Sequence, residues 1–245
     1  MAYDYLGLVN ELCRKVNEVE LTSSNFTTAV AWYAVARDAI NRSIRDINAK
    51  EHFWRFNYSS HEETLVAGTA RYSWPASTKV IDFDSFRIKK DDTLGVETRW
   101  LLPVTYDEYL KKLSHYEFDT STTVRTVPRY VTSTPNTEYV VTPTPDEAYT
   151  LVFDTFTDPS DLSAYDDVPN IPERYRSAII RGAMRDVYEF REDDFNNEKA
   201  TAEFEKMIED MRIKEINHYE YVRSGMRVRD HTGNATWQVG GEPIR

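Results

Sequence analysis

Apolar residues recur at three- and four-residue steps at both ends of the chain and at every second position through its middle. This change of period divides the sequence before any motif does. Near the start, Leu6, Val9, Leu12, Cys13 and Val16 share one face of a helix expected over residues 3–19. The run Leu21-Thr-Ser-Ser-Asn breaks the pattern and offers N-cap side chains. A second helix is expected over 27–49, with Val30, Ala34, Ala36, Ile40, Ile44 and Ile47 inward and Arg37, Arg42 and Arg45 outward. The two helices should pack as a hairpin.

Around Glu51 the period shortens. Phe53-Trp-Arg-Phe-Asn-Tyr alternates bulky and polar residues as a half-buried strand does, and the sequence reads mainly as β to about Pro159. Thr64-Leu-Val, the turn Ala67-Gly68-Thr69 and Tyr72-Ser-Trp-Pro are expected to form a hairpin that stops at a proline. Further strands are expected at Val80–Ile88, Thr98–Leu102, Pro128–Val131, Thr137–Val141 and Tyr149–Phe156. Between them, Thr105 and Glu108 have the spacing of a capping box and open a short helix to about Leu113, and Tyr116–Thr126 reads as a surface loop.

The helical period returns after an acidic linker over Asp161–Asn170. Ile171-Pro172-Glu173 resembles a helix start, and Tyr175, Ile179, Ala183, Val187 and Phe190 then mark an inward face. Arg191-Glu-Asp-Asp interrupts the pattern. A last helix on Phe204, Ile208 and Met211 is expected from about Asn196 to Ser224, with Gly225 as its C-cap. Residues 226–245 have no period and read as an extended arm. The expected fold is therefore α+β: a discontinuous helical bundle from both ends (1–50 and 161–225), an inserted antiparallel β domain (51–160) and the arm.

Composition narrows the function classes. The 245 residues are 40% apolar and 29% charged, and 30 Lys and Arg against 41 Asp and Glu leave a net charge of -11. That balance excludes a binder whose affinity comes from neutralised phosphates, though not contact with DNA that slides past. No run of about 18 apolar residues is present to span a bilayer, and the start lacks the regions of a secretory signal, so the mature chain is expected to begin near Met1 in a cytoplasm. Cys13 stands alone and reads as a buried thiol. With 16 Tyr, 11 Phe and 5 Trp, the chain is rich in side chains that serve a core and a subunit contact equally well.

No catalytic, cofactor or metal-ligating constellation is expected. The neighbouring carboxylates Glu62-Glu63, Asp91-Asp92, Asp166-Asp167 and Asp193-Asp194 fall on strands, where successive side chains point apart, or in linkers. The histidines His52, His61, His115, His218 and His231 are scattered, with no metal spacing. Phosphate-cradling glycine loops and a Gly-x-Ser-x-Gly elbow are absent. The arm sets Arg227, Arg229 and Arg245 against Asp230 and Glu242 and carries Trp237. It reads either as a solubilising end or as a docking strand anchored by the tryptophan.

Several segments taken in order carry a resemblance: Ala39-Ile40-Asn41-Arg42-Ser43-Ile44, then Phe53-Trp54-Arg55-Phe56, then Thr64-Leu65-Val66-Ala67-Gly68 before Tyr72-Ser73-Trp74-Pro75, and Val168-Pro169-Asn170-Ile171-Pro172. In this order they resemble the head-to-tail adaptor, or tail tubular protein A type, of short-tailed bacteriophages. The resemblance implies a virion protein of the phage neck, assembled in the host cytoplasm as a ring of about twelve copies. The ring would lie between the portal and the tail nozzle, with possible contacts to a tail fibre or another neck protein. It further implies a helical ring wall, a lumen for the passage of DNA, and an arm reaching the portal through Arg227, Arg229, Trp237 and Arg245.

Two rivals from other classes remain open on the sequence. A cell-wall-degrading enzyme would need carboxylates drawn from Glu62, Glu63 and Glu97, and a glycan-binding module would stack sugars on Trp74 and Trp100.

Overall fold

The computed structural model describes residues 2–119 and 121–215 and, beyond them, the backbone of four two-residue strands, Val228–Arg229, Ala235–Thr236, Gln238–Val239 and Glu242–Pro243, which pair two by two. Among the described residues the protein is mixed α+β, with six α-helices and two mainly antiparallel four-stranded sheets.

Asp4 opens helix α1 (Tyr5–Lys15) by accepting the Gly7 amide at 2.7 Å, which satisfies one of the free donors of the first turn. Of the expected apolar face, Val9, Leu12 and Cys13 are fully buried and Val16 is buried, whereas Leu6 is only partly buried and Leu8, outside the expected face, is fully buried. Helix α2 (Trp32–Lys50) starts later than its pattern suggests, because Ala31 adopts a φ of 56° that no helix continues through. Before it, the Asn25 side chain accepts the Thr22 amide in a turn, and Val30 is exposed instead of inward. Arg37, expected to face solvent, turns back to donate to the Phe26 and Ala29 carbonyls.

After the sheets, a single 3-10 turn (Glu173–Tyr175) leads into α5 (Arg176–Phe190), and a tight turn through Glu192 leads to α6 (Asp194–Glu215). Ile40, Ile44 and Ile47 of α2 share one core with Leu8 and Leu12 of α1, Ile179 and Val187 of α5, and Phe204, Ile208 and Met211 of α6. Gly182 lets three helices meet. A Cβ there would stand 2.1 Å from the Ser43 hydroxyl and 2.9 Å from the Phe204 ring, and that hydroxyl is committed to the Ile179 carbonyl at 2.8 Å.

The linker over 161–170 is docked to the helices. Asn41 clamps Leu162 by accepting its amide and donating to its carbonyl, both at 3.0 Å. The Tyr5 and Leu6 amides donate to the Asp167 and Tyr165 carbonyls. The Ser163 and Ala164 amides hold the Asp167 carboxyl below the usual aspartate range.

The strands are β1 (Tyr58–Thr64), β2 (Arg71–Ser73), β3 (Thr78–Ile88), β4 (Arg99–Trp100), β5 (Leu102–Pro103), β6 (Tyr130–Ser133), β7 (Glu138–Thr142) and β8 (Thr150–Thr157). One sheet has the order β1-β8-β3-β4 and the other β2-β7-β6-β5, with β5 and β6 the parallel pair. The expected hairpin of β1 and β2 therefore does not form: β1 pairs with β8 along its whole length, and β2 pairs with β7 in the other sheet. Gly68, at φ 82°, swings the chain across. Tyr72 then packs between the sheets, its hydroxyl accepting the Val66 amide and donating to the Thr69 carbonyl.

The shared sheet core is aromatic. Phe86 stacks on Phe153 at 4.4 Å between ring centroids, and both meet Tyr139 of the second sheet edge-on at 5.3 Å. Helix α3 (Tyr106–Glu108), a π turn (Tyr109–Leu113) and α4 (His115–Phe118) lie between β5 and β6. Thr105 caps α3 as expected, accepting the Glu108 amide, whereas α4 occupies the start of the expected surface loop. Glu117 of α4 fastens this excursion to the second sheet through Arg71 and the Tyr109 hydroxyl.

The expected strand over 53–58 is instead a corner. Trp54 turns into the helical core, donating from Nε1 to the Ile47 carbonyl at 2.8 Å, and Arg55–Asn57 make one 3-10 turn. Bulky residues at alternate positions served a change of direction here, because the tryptophan had an open carbonyl at the end of α2 to satisfy. The Asn57 amide donates to Asn48 Oδ1 at 2.7 Å, and Asn170 donates to Asn57, so side-chain amides join the point where the chain leaves the helices to the point where it returns.

Candidate interaction surfaces

The arm residues Arg227, Trp237 and Arg245 lie outside the described residues, and of Arg229 only the backbone, in the strand Val228–Arg229, is described. The last helix, expected to run to Ser224 with Gly225 as its C-cap, is described as far as Glu215, and residues 216–225 lie outside the described residues. Glu215, the last residue of α6, is buried and accepts from the Tyr175 hydroxyl at 2.6 Å and from the Arg174 guanidinium. Burial opposes its ionisation, but these two donors outweigh burial and hold the Glu215 carboxyl below the usual glutamate range. Because the folded pKa is lower than that of the unfolded chain, the stability Glu215 contributes is complete above about pH 4.3 and is lost as pH falls through the depressed folded value. Glu215→Gln is accordingly expected to lower the melting temperature at pH 7, with the gap to wild type closing below about pH 4. Parallel melting curves at the two pH values check this.

The carboxylates considered for hydrolysis are kept apart by ion pairs and strand geometry. Glu62 pairs with Lys89 at 3.0 Å, Glu63 on the other face of β1 accepts the Tyr139 hydroxyl at 2.9 Å, and Glu97 pairs with Lys90 at 3.6 Å. Of the tryptophans considered for sugar stacking, Trp74 packs against the sheet core, while Trp100 is exposed with the Arg87 guanidinium 5.5 Å from its ring. His61 leans on the Phe153 ring and lies 3.7 Å from Glu63, and no group of three or more His, Cys, Asp or Glu among the described residues is placed to hold a metal ion. Cys13 is buried as expected, and desolvation pushes its thiol pKa up, away from nucleophilic character. No helix among the described residues is long and apolar enough to cross a membrane.

What the helices present outward is more informative. Between α2 and α5 a groove is lined by Val35, Ala39 and Phe190 together with Asp38, Asp186 and Glu189. Phe190, expected to face inward, is the last residue of α5 and is 61% exposed, its ring tilted against that of Trp32 at 6.5 Å between centroids. Arg42 pairs with Asp186 at 3.3 Å. Burial, with Asp46 and Glu189 close by, pushes the Asp186 carboxyl above the usual aspartate range against the pull of Arg42 and Arg185.

On the far side of α6 a second feature runs the length of the helix: Phe195, Lys199, Ala202, Lys206, Glu209 and Ile213 are all exposed. Their spacing of four, three, four, three and four residues puts them on a single line. That spacing was available in the sequence. Phe204, Ile208 and Met211 carry the apolar period of the helix, whereas a line with one phenylalanine and one isoleucine at its ends and lysines between them has no apolar period of its own.

A search of curated proteins gave no match. The family model described as SU10 adaptor protein matches residues 3–230, taking in the helices of both ends, both sheets and the first part of the arm. With a match of that extent, the chain belongs to the SU10 adaptor protein family.

Proposed function

We propose that the protein is a non-enzymatic structural component of a bacteriophage virion, a head-to-tail adaptor that forms a ring between the portal and the tail nozzle. The observation that carries this reading is membership of an adaptor family across nearly the whole chain. The fold fits the role. Helices from both ends of the sequence share one core, and the sheets form a second. We read residues 1–50 and 161–225 as the wall, 51–160 as an inserted β domain facing tail components, and 226–245 as the arm.

The arm is the portal-docking element in this reading, with Trp237 as its anchor and Arg227, Arg229 and Arg245 meeting acidic groups on the portal. A net charge of -11 suits a lumen through which packaged DNA passes with little adhesion. Imaging purified protein mixed with portal rings tests the assignment. An added ring of density on the portal is expected, and portals that stay bare overturn it. Chain ending at Gly225 should keep the circular dichroism of its folded part and fail to add density, whereas docking by the truncated chain removes the arm's role.

A further inference from the structure

A closed ring of more than two copies uses two different patches on each subunit, one complementary to the other, since every copy meets its neighbours head to tail. Resting on the ring reading above, we propose that the exposed line of α6 on one copy lies in the α2/α5 groove of the next, with Lys199 and Lys206 meeting Asp38, Asp186 and Glu189.

Charge complementarity argues for this pairing. The groove holds three carboxylates, and the Arg42 at its edge is already bound to Asp186. Asp38 and Glu189 make no ion pair among the described residues, and neither do Lys199 and Lys206 on α6. Two free acids thus face outward on one side of the helical core and two free lysines on another, about 10 Å apart along α6 at 1.5 Å per residue. A contact within one copy is closed to them, because α6 is packed on α5 by its opposite face through Phe204 and Ile208.

The apolar residues match the same geometry. Phe195 is 78% exposed and Ile213 64% exposed at the two ends of the line, a large apolar area for a soluble helix to leave in water. The floor of the groove, Val35, Ala39 and Phe190, is apolar with acids at its margins. An amphipathic helix laid in a groove reads through residues three and four apart, and the α6 line has that spacing throughout. Lysine stems add apolar cover while their ammonium groups reach the carboxylates.

Native mass spectrometry and zero-length carbodiimide coupling test the contact. Equal amounts of isotopically labelled and unlabelled chain are mixed, alone and on portal rings, and coupled. Cross-links from Lys199 or Lys206 of one copy to Asp38, Asp186 or Glu189 of another are expected. The double variant Lys199→Glu, Lys206→Glu should assemble at least tenfold more weakly with an unchanged circular dichroism spectrum. Adding Asp38→Lys and Glu189→Lys to it should restore assembly, a rescue that a folding defect would not show. Rings that form with cross-links between other surfaces, or that tolerate the lysine reversals, overturn this contact and leave the ring reading standing. A chain that stays monomeric both alone and on portals overturns the ring reading and the contact together.

Discussion

Replacing Phe86 by alanine is expected to destabilise the sheets by about 3–5 kcal/mol, the usual cost of emptying a large aromatic site in a core that relaxes only in part. Phe86 is fully buried at the centre of the aromatic cluster. It stacks on Phe153 at 4.4 Å and meets Tyr139 of the opposite sheet at 5.3 Å, so truncation removes contacts within one sheet and between the two. It also lies within an irregular stretch of β3, where the register against β8 shifts between Asp82 and Arg87. With Phe83 stacked on it and Ser85 accepting the Asp154 amide, the Phe86 ring holds that stretch to the core. Under the proposed division of the chain, the loss should be confined to 51–160. Near-ultraviolet dichroism from the aromatic cluster should then melt well below the helical signal at 222 nm. One transition shifted as a whole would show that the two cores melt together and would sink the reading of the sheets as a separate unit.

The helical ends were legible in the sequence because their cores are built from uninterrupted three- and four-residue steps. Leu12, Cys13, Ile40, Ile44, Ile47, Ile179, Val187, Phe204, Ile208 and Met211 are all buried where their spacing puts them. The same signal misplaces residues at helix ends, where the period continues on paper after the helix has stopped: Val30 precedes the left-handed Ala31, and Phe190 is the last residue of α5. Periodicity reports that a residue faces a partner without saying whether the partner is the same chain. The assumed hairpin of β1 and β2 failed for a related reason. A glycine turn between two strands looks alike whether the strands pair or cross between sheets, and the choice was made by β8, nearly ninety residues later, and by the place Tyr72 found beside Tyr139. Of the candidate surfaces, the arm stood out through composition, whereas the α2/α5 groove exists only once two distant helices meet.

Trp54→Ala is expected to cost about 3–5 kcal/mol, and its effect should reach beyond the space it empties. The side chain is fully buried in the helical core and stacks on Phe56 at 5.4 Å between centroids, yet it belongs to the segment that carries the chain out to the sheets. Its Nε1 donates to the Ile47 carbonyl in the last turn of α2, a group that α2 itself leaves without an intrahelical donor. Truncation therefore empties a large cavity and uncovers a buried acceptor, and the second term alone costs about 1–3 kcal/mol where water cannot replace the donor. The Asn57 amide that bonds Asn48 sits three residues further on, so a loosened corner should also weaken the amide contacts that bring Asn170 back to the helices. At roughly 2–4 °C per kcal/mol for a chain of about this size, the melting temperature should fall by on the order of 10 °C. Limited proteolysis should open new cleavage between Glu51 and Tyr58. Trp54→Phe, which keeps most of the volume and loses the hydrogen bond, should fall between the two. A Trp54→Ala chain that melts within about 2 °C of wild type and resists cleavage at this corner would mean that the cores are joined elsewhere.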